Sequence, residues 1–126
     1  MFRSKTYPDK PLSIVTKHSI LVGGDGVYIY SDKRIKNNIQ TIDDNQALLD
    51  FRKLNPCTYS YVDQIKRGNS TVYGFIAQEV EEVLPQLVRT NEGGYKAVDY
   101  DKLVGLLIEA VKDQQSQIDE LKSKLG

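Results

Sequence analysis

The last quarter of the chain constrains the fold most, because it carries a proline-free heptad repeat. Its a and d positions alternate three and four residues apart, which predicts one continuous amphipathic helix with a coiled-coil seam. The seam residues are Val104, Leu107, Val111, Gln114, Ile118, Leu121 and Leu125. β-Branched a residues with leucine at d favour two strands, so the heptad alone does not predict a trimer. Gln114, at a d position, is expected to fix register and oligomeric state at some cost in stability.

A second apolar row widens the stripe over the first two turns of this helix. It consists of Leu103, Ile108 and Ala110. We therefore expect the helix to pack on its own domain at its start and on other helices towards its end. An amphipathic helix lying on a monomeric core is the alternative. The narrow distal stripe favours self-association, because a stripe of a and d positions alone is typical of a coiled-coil seam.

Composition excludes several classes of protein. The chain of 126 residues has 17 basic and 17 acidic side chains, so it lacks the basic excess of a domain that binds nucleic acid through phosphates. One cysteine and one histidine exclude an internal disulfide framework and a cysteine-rich zinc site, and leave little for a Ser-His-Asp triad. There is no membrane-spanning apolar run and no signal-peptide core. We expect a soluble chain from a reducing compartment, with no cofactor, metal, nucleic acid or membrane partner.

The remaining sequence predicts an α+β domain. We expect hairpins that pair residues 12–22 with 27–30, 57–62 with 71–74, and 86–89 with 95–98. Two short helices are predicted, one from Asp43 or Asp44 to about Leu54 and one over 75–85, and Asp99 is predicted to cap the long helix. Ala47, Leu48, Phe51 and Leu54 are expected to share the inward face of the first. The fold is thus a small antiparallel sheet, two short helices and a long C-terminal coiled-coil helix.

Residues 31–36 place a hydroxyl, a carboxylate and three cations within six positions, in the order Ser-Asp-Lys-Arg-Ile-Lys. A solvated charged turn is the simplest interpretation of such a run. A lysine, however, becomes a general base for a serine once burial and neighbouring cations lower its pKa. Ser31 and Lys36 do not share a helical face, so the backbone must turn between them before they can act together.

Four other features have simple structural interpretations. Cys57 is expected to be a small strand residue, and His18 a surface or strand residue. Glu81 and Glu82 are expected on a solvated helix face. Gly23-Gly24-Asp25-Gly26 is expected to be a tight turn, because a phosphate-binding loop needs a helix after it and a β-like alternation follows here. A nucleotide-using assembly factor is therefore a weak alternative.

Three segments together resemble one family. They are Ser31 to Lys36, then Tyr73-Gly74-Phe75-Ile76-Ala77-Gln78-Glu79-Val80, then Val98-Asp99-Tyr100 followed by Leu103, Leu107, Glu109, Ala110, Val111 and Lys112. This arrangement, from Ser31 to about Leu125, is similar to the C-terminal intramolecular chaperone and auto-processing domain of phage tail spikes, tail fibres and endosialidases. A similar domain occurs in myelin regulatory factor.

The resemblance implies a homotrimer that guides folding of an upstream fibre and then cuts itself off before the serine of the first motif. Carried onto this chain, the cut falls between Tyr30 and Ser31, with Ser31 as nucleophile and Lys36 as general base. Asp32, Arg34, Gln78 and Glu79 match supporting motif positions. The implied organisation is the end of a fibre over 1–30, a chaperone core over 31–98 and a trimerising helix over 99–126. Assembly in the host cytoplasm and a parent protein in the virion tail are implied as well.

A function from another class is also consistent with the sequence. The domain can be a trimerisation and folding module of a structural fibre protein with no proteolytic activity. The two interpretations differ in whether the chain splits before Ser31, and in whether Ser31→Ala or Lys36→Ala prevents it.

Overall fold

The structure is a computed structural model that describes Ile14, Thr16 and residues 19–126. The predicted hairpin of 12–22 with 27–30 lies partly outside these residues, and so does His18. Within them, residues 19–22 and 27–30 form no strand, so the strand predicted over 27–30 was wrong. An alternating segment forms a strand when a partner covers one of its faces, whereas Val27, Tyr28, Ile29 and Tyr30 are all more than two-thirds exposed. The glycine turn is present as a bend at Gly24 and Asp25, followed by Gly26 at φ 145°.

The chain divides into two units. One contains Ser60–Ser70 and the described residues up to Tyr30; the other contains Ser31–Tyr59 and Thr71–Gly126. In the first unit, a single helical turn, α2 (Gln64–Arg67), is capped by the Asp63 carboxylate, which accepts from the N–H of Lys66 at 3.2 Å. This turn of helix lies in the connection between the two segments, 57–62 and 71–74, that were predicted to pair.

The second unit contains two antiparallel strand pairs. Strands β1 (Cys57–Tyr59) and β2 (Val72–Gly74) pair Cys57 with Gly74. Strands β3 (Val88–Thr90) and β4 (Lys96–Val98) pair Val88 with Val98. The second and third predicted hairpins are confirmed, with shorter strands that form two separate two-stranded sheets. Cys57 lies in β1 as a half-buried free thiol, as predicted.

Two short helices flank these strands. The first, α1 (Asp44–Lys53), is capped by Asp43, whose carboxylate accepts from the N–H of Gln46 at 3.0 Å. The second, α3 (Ala77–Val83), ends before Pro85, which opens a 3-10 turn over Pro85–Leu87. Both helices were predicted from the sequence. The proline stops α3 because its ring is incompatible with a helix interior.

The core of the second unit is small. Val80, Leu84 and Leu87 are buried at its centre, and they are surrounded by partly buried apolar residues. These are Leu54, Phe75, Val83, Val88, Val98, Leu103 and Leu106. The centre of the core therefore lies beside α3 and the β3–β4 pair.

The long helix α4 (Leu103–Leu125) follows a 3-10 turn over Tyr100–Lys102 and packs against α1. Its inward face carries Leu103, Leu106 and Ala110, and Ala110 is 4% exposed. This confirms that the start of the helix packs on its own domain. Ile108, predicted to belong to that contact, is instead 54% exposed because it lies on the other side of the helix.

The prediction that the Asp99 side chain caps α4 was wrong. Asp99 precedes the 3-10 turn but makes no side-chain capping bond. Its carboxylate accepts from the Lys102 ammonium at 2.6 Å instead. Hydrogen bonding with Asp101 and Lys102 lowers the pKa of Asp99. No helix within the described residues is long and apolar enough to cross a membrane.

Candidate functional site

Residues 31–36 form a tight turn built by their own side chains. The Asp32 carboxylate caps a 3-10 turn over Lys33–Ile35 by accepting from the N–H of Arg34 at 2.8 Å. The N–H of Lys36 then donates to the carbonyl of Lys33 at 3.1 Å. A 3-10 turn rises about 2 Å per residue. The two ends of the segment therefore stay close together.

This turn joins Ser31 and Lys36. The Lys36 Nζ donates a hydrogen bond to the Ser31 Oγ. The structure therefore supplies the backbone turn that the two side chains require, since a regular helix would place them on different faces. When the amine is neutral, the hydroxyl can instead donate to the nitrogen across the same contact, and this is the arrangement in which a base can remove the hydroxyl proton.

Arg34 holds the capping carboxylate from the other side. Its Nε and Nη2 donate to the two Asp32 carboxylate oxygens at 3.0 and 2.8 Å, which makes a two-pronged ion pair. The side-chain and then the backbone hydrogen bond from Arg34 lower the pKa of Asp32, and Asp32 raises that of Arg34. Asp32 and Arg34 thus hold the turn that brings Ser31 and Lys36 together.

The site is open to solvent in a single chain. Ser31, Asp32, Arg34 and Lys36 are all exposed, and the side chain of Tyr30 is 92% exposed. The part of the chain that the structure describes contains no group of three or more acidic, histidine or cysteine side chains that can hold a metal ion. The chemistry available at this turn is that of a hydroxyl, an amine and an ion pair in water.

The second and third motif segments meet each other rather than the serine turn. The hydroxyl of Tyr100 accepts from the N–H of Phe75 at 3.2 Å, and a Cβ added to Gly74 would lie 2.8 Å from the same hydroxyl. This contact was not predicted from the sequence, although Gly74 and Tyr100 belong to the second and third of the three segments that resemble the family. A glycine beside an aromatic at a strand end is the pattern that indicates such a close approach.

Gln78 and Glu79 lie exposed in the first turn of α3. Among the hydrogen bonds of the described residues, none joins either side chain to residues 31–36. Glu81, expected on a solvated face, is half-buried and accepts from the Lys96 ammonium at 3.0 Å. Lys96 also donates to the Thr90 hydroxyl at 3.1 Å. The ion pair of Glu81 with Lys96 therefore links α3 to the β3–β4 hairpin.

The apolar seam of α4 lies uncovered in a single chain. Gln114 is exposed, and the six apolar seam residues are between 45% and 88% exposed. They are Val104, Leu107, Val111, Ile118, Leu121 and Leu125. Two side-chain bonds on the rest of the surface, Gln115 to Asp119 at 2.9 Å and Lys124 to Glu120 at 3.2 Å, link positions four residues apart. Polar side chains on the outer surface of the helix therefore bond to one another, whereas the apolar seam is left exposed to solvent.

The fold and the serine turn together define a class: a small α+β domain that combines a Ser-Lys contact in a tight turn with a long helix whose heptad seam is uncovered in a single chain. A peptidase family model, described as chaperone of endosialidase, matches residues 31–89. The chain belongs to this family. The match begins at Ser31, the first residue of the turn.

Relatives from three kinds of source resemble the chain. A long tail fibre protein, Gp37 of Enterobacteria phage K3, is 37% identical over 109 residues, which is 82% of this chain and 9% of that protein. Protein VP1 of a Micromonas pusilla reovirus is 36% identical over 67 residues, covering 53% of this chain and 4% of VP1. The myelin gene regulatory factor-like protein A of Dictyostelium discoideum is 28% identical over 133 residues, covering 93% of this chain and 14% of that protein. The chain thus spans a small fraction of the length of each.

Proposed function

We propose that this chain is the chaperone domain of a viral tail fibre, that it trimerises through α4, and that it cuts itself between Tyr30 and Ser31. The observation that carries the proposal is the hydrogen bond between the Lys36 amine and the Ser31 hydroxyl. Family membership supports the chaperone role, and the likeness to phage long tail fibre proteins supports the fibre as its substrate.

In the proposed reaction the Ser31 Oγ attacks the carbonyl carbon of Tyr30. The new C–O bond forms as the hydroxyl proton passes to the Lys36 amine, and the C–N bond between the two residues breaks as that proton passes to the departing Ser31 nitrogen. Water then hydrolyses the ester, which leaves a Tyr30 carboxylate and restores the Ser31 hydroxyl. The attacked carbonyl belongs to the preceding residue, so proximity contributes much of the acceleration.

Assembly is the step that we propose to switch this chemistry on. A lysine amine in water is mostly protonated at neutral pH and cannot accept a proton. Ser31 and Lys36 are exposed in a single chain, and burial by a neighbouring copy favours the neutral amine. Cleavage then reports that the trimer has formed. Loss of the chaperone after folding leaves the fibre kinetically stable, because the route by which it folded no longer exists.

The proposal assigns a role to each part of the chain. Residues 1–30 are the end of the fibre, 31–98 the chaperone core, and 99–126 the trimerising helix. The family match begins at Ser31, and one of the boundaries between the two units also falls there, which supports the start of the chaperone core at this residue. Assembly then takes place in the host cytoplasm, and the parent protein resides in the virion tail.

The test is the intact mass of purified wild type, Ser31→Ala, Lys36→Ala and Lys36→Arg, followed over days. We expect only wild type to yield a fragment that begins at Ser31. Lys36→Arg is the matched control, because arginine keeps the charge and donates to the hydroxyl but does not lose its proton in proteins. Cleavage of Lys36→Arg at the wild-type rate would contradict the general-base role of Lys36.

A folding module without proteolysis is the second candidate, and the solvent exposure of the dyad favours it. If wild type stays whole under conditions in which sedimentation shows a trimer, the self-cleavage is wrong and the folding role remains. If the chain is monomeric at every concentration, the trimeric chaperone is wrong as well.

A further inference from the structure

An apolar groove of about 380 Å³ opens between α1 and the start of α4. Phe51 of α1 and Leu54, which directly follows α1, form one wall, and Leu103, Val104 and Leu107 of α4 form the other. Two of these residues, Val104 and Leu107, also belong to the exposed heptad seam. The groove is therefore continuous with the surface on which the proposed function places a second copy.

The far end of the groove is formed by aromatic rings. Phe75 and Tyr100 line it together with Pro56, and their rings are 5.9 Å apart between centroids. Apart from the tyrosine hydroxyl, which already accepts from the N–H of Phe75, the lining side chains are apolar. Such a surface fits an aliphatic side chain rather than a charged or strongly polar ligand.

The heptad register shows on which side of α4 the groove lies. With Val104 at a, Leu103 is a g position and Ile108 is an e position. The inward face of α4, with Leu103, Leu106 and Ala110, is its c and g side. The groove thus opens on the g flank of the seam. In a parallel coiled coil, each g residue lies beside the e residue five positions later in the neighbouring helix.

Ile108 is the one apolar residue at an e position of α4, since Gln115 and Lys122 occupy the next two. It is 54% exposed in a single chain. The same register pairs it with Leu103, a large apolar g residue and a wall of the groove. The later g positions, Ala110 and Gln117, face Gln115 and Lys122, so the apolar pairing occurs only where the groove lies.

We propose that the groove of one copy receives Ile108 from the helix of the next copy. The interface is then heterologous: the e side of one helix fills the g-side groove of its neighbour, and repetition of this contact closes a ring. This inference rests on the proposed self-association, and it identifies where the globular part of one copy contacts the helix of another.

The first test substitutes Ile108→Gln, which places at this e position the residue found at the next one. Sedimentation of the whole chain over a range of concentrations should show dissociation at about tenfold higher concentration or more, as for the loss of a buried interface anchor. Ser116→Gln, on the exposed outer side of the same helix, is the matched control and should associate as wild type does. Circular dichroism checks that both variants fold.

The second test is a cross-link in a Cys57→Ser background. Chains with both Leu103→Cys and Ile108→Cys should oxidise to covalent dimers and closed rings, and a mixture of the two single variants should give dimers. Within one helix the two positions are about 7.5 Å apart along the axis and on different sides, so they do not bridge in the same chain. Either single variant alone should stay uncross-linked.

The outcomes separate this inference from the proposed function. An oligomer in which Ile108→Gln associates like wild type, or in which the folded double-cysteine chain forms no cross-link, overturns the groove contact and leaves self-association standing. A wild-type chain that is monomeric at every concentration overturns both. If Leu103→Cys prevents folding, the Ile108→Gln measurement decides alone.

Discussion

The hydroxyl of Tyr100 accepts a hydrogen bond from the backbone N–H of Phe75 at 3.2 Å, across 25 positions of sequence. The two rings also touch, with centroids 5.9 Å apart and planes inclined by 44°. One tyrosine therefore fastens the turn that leads into α4 to the end of β2. The helix that we propose to assemble the trimer is thereby held at a fixed place on the core.

Tyr100→Phe should destabilise the chain by about 0.5–1.5 kcal/mol, because it removes one neutral hydrogen bond and keeps the ring contact. The free energy of unfolding from urea titration measures this. Tyr95→Phe is the matched control: that side chain is 72% exposed, so its loss of a hydroxyl should stay within about 0.5 kcal/mol. Equal effects of the two substitutions would contradict a specific role for the Tyr100 hydroxyl.

Gly74→Ala should cost about 1–3 kcal/mol, as overpacking does in a well-packed site. The added Cβ would lie 2.8 Å from the Tyr100 hydroxyl oxygen and 2.9 Å from that of Tyr59. Both atoms are the ends of side chains, so the rings can shift, but the shift of Tyr100 breaks its bond to Phe75. The same substitution should therefore cost less in a Tyr100→Phe background, and a double-mutant cycle measures the difference.

Gly93→Ala is the control for that cycle. A Cβ there meets atoms no nearer than 3.5 Å, at the Asn91 side chain and the Tyr95 ring. We expect no coupling of Gly93→Ala with Tyr100→Phe. Additive costs for Gly74→Ala and Tyr100→Phe would show that the crowding around Gly74 comes from elsewhere.

Local chemistry explains what the sequence predicted well. Asp43 caps α1 and Pro85 ends α3, and each effect depends on residues within a few positions. The heptad spacing predicted that α4 is one continuous helix, because its repeat recurs without a break along the segment. The strand expected over 27–30 failed because a strand depends on a partner elsewhere in the chain. Asp99 was expected to cap a helix, yet its carboxylate has an alternative cation three residues away in Lys102.

In the candidate site, too, local contacts were predicted from the sequence and a tertiary contact was not. Ser31 and Lys36 were identified from a motif, and the Asp32 cap that brings them together is local enough to follow from sequence. The contact of Tyr100 with Gly74 and Phe75 was not predicted. It joins two segments through tertiary packing, for which a single sequence gives no register.

The turn at the serine should depend on pH through Asp32. Arg34 holds the pKa of Asp32 below its usual value, first through its side chain and then through its backbone N–H. A depressed carboxyl pKa stabilises the folded turn fully above the usual value of 3.8, and that stabilisation is lost as the pH falls through the lower folded value. Titration of the Asp32 carboxyl carbon by NMR, on Ser31→Ala to keep the chain whole, should give a midpoint below 3.8.

Arg34→Gln tests the cause of that shift. It removes the guanidinium and keeps a side chain of similar reach, so the Asp32 midpoint should rise towards the usual value. Amide shifts of residues 33–36 should then change over the same, higher pH range as Asp32 protonates. An unchanged Asp32 midpoint in Arg34→Gln would contradict the ion pair as the cause.

Gln114→Leu should stabilise the assembled helices and loosen their register. Burial of a leucine at the d position stabilises the assembly by about 1.5–3 kcal/mol per copy relative to an exposed leucine. The midpoint of thermal unfolding at fixed concentration should therefore rise. A polar residue in the seam restricts the helices to alignments that pair it with itself, and leucine removes that restriction. Sedimentation should therefore show more than one species for Gln114→Leu. Gln114→Asn keeps a polar layer and should sediment as one species, whereas a single unchanged species for Gln114→Leu would contradict a role of Gln114 in register.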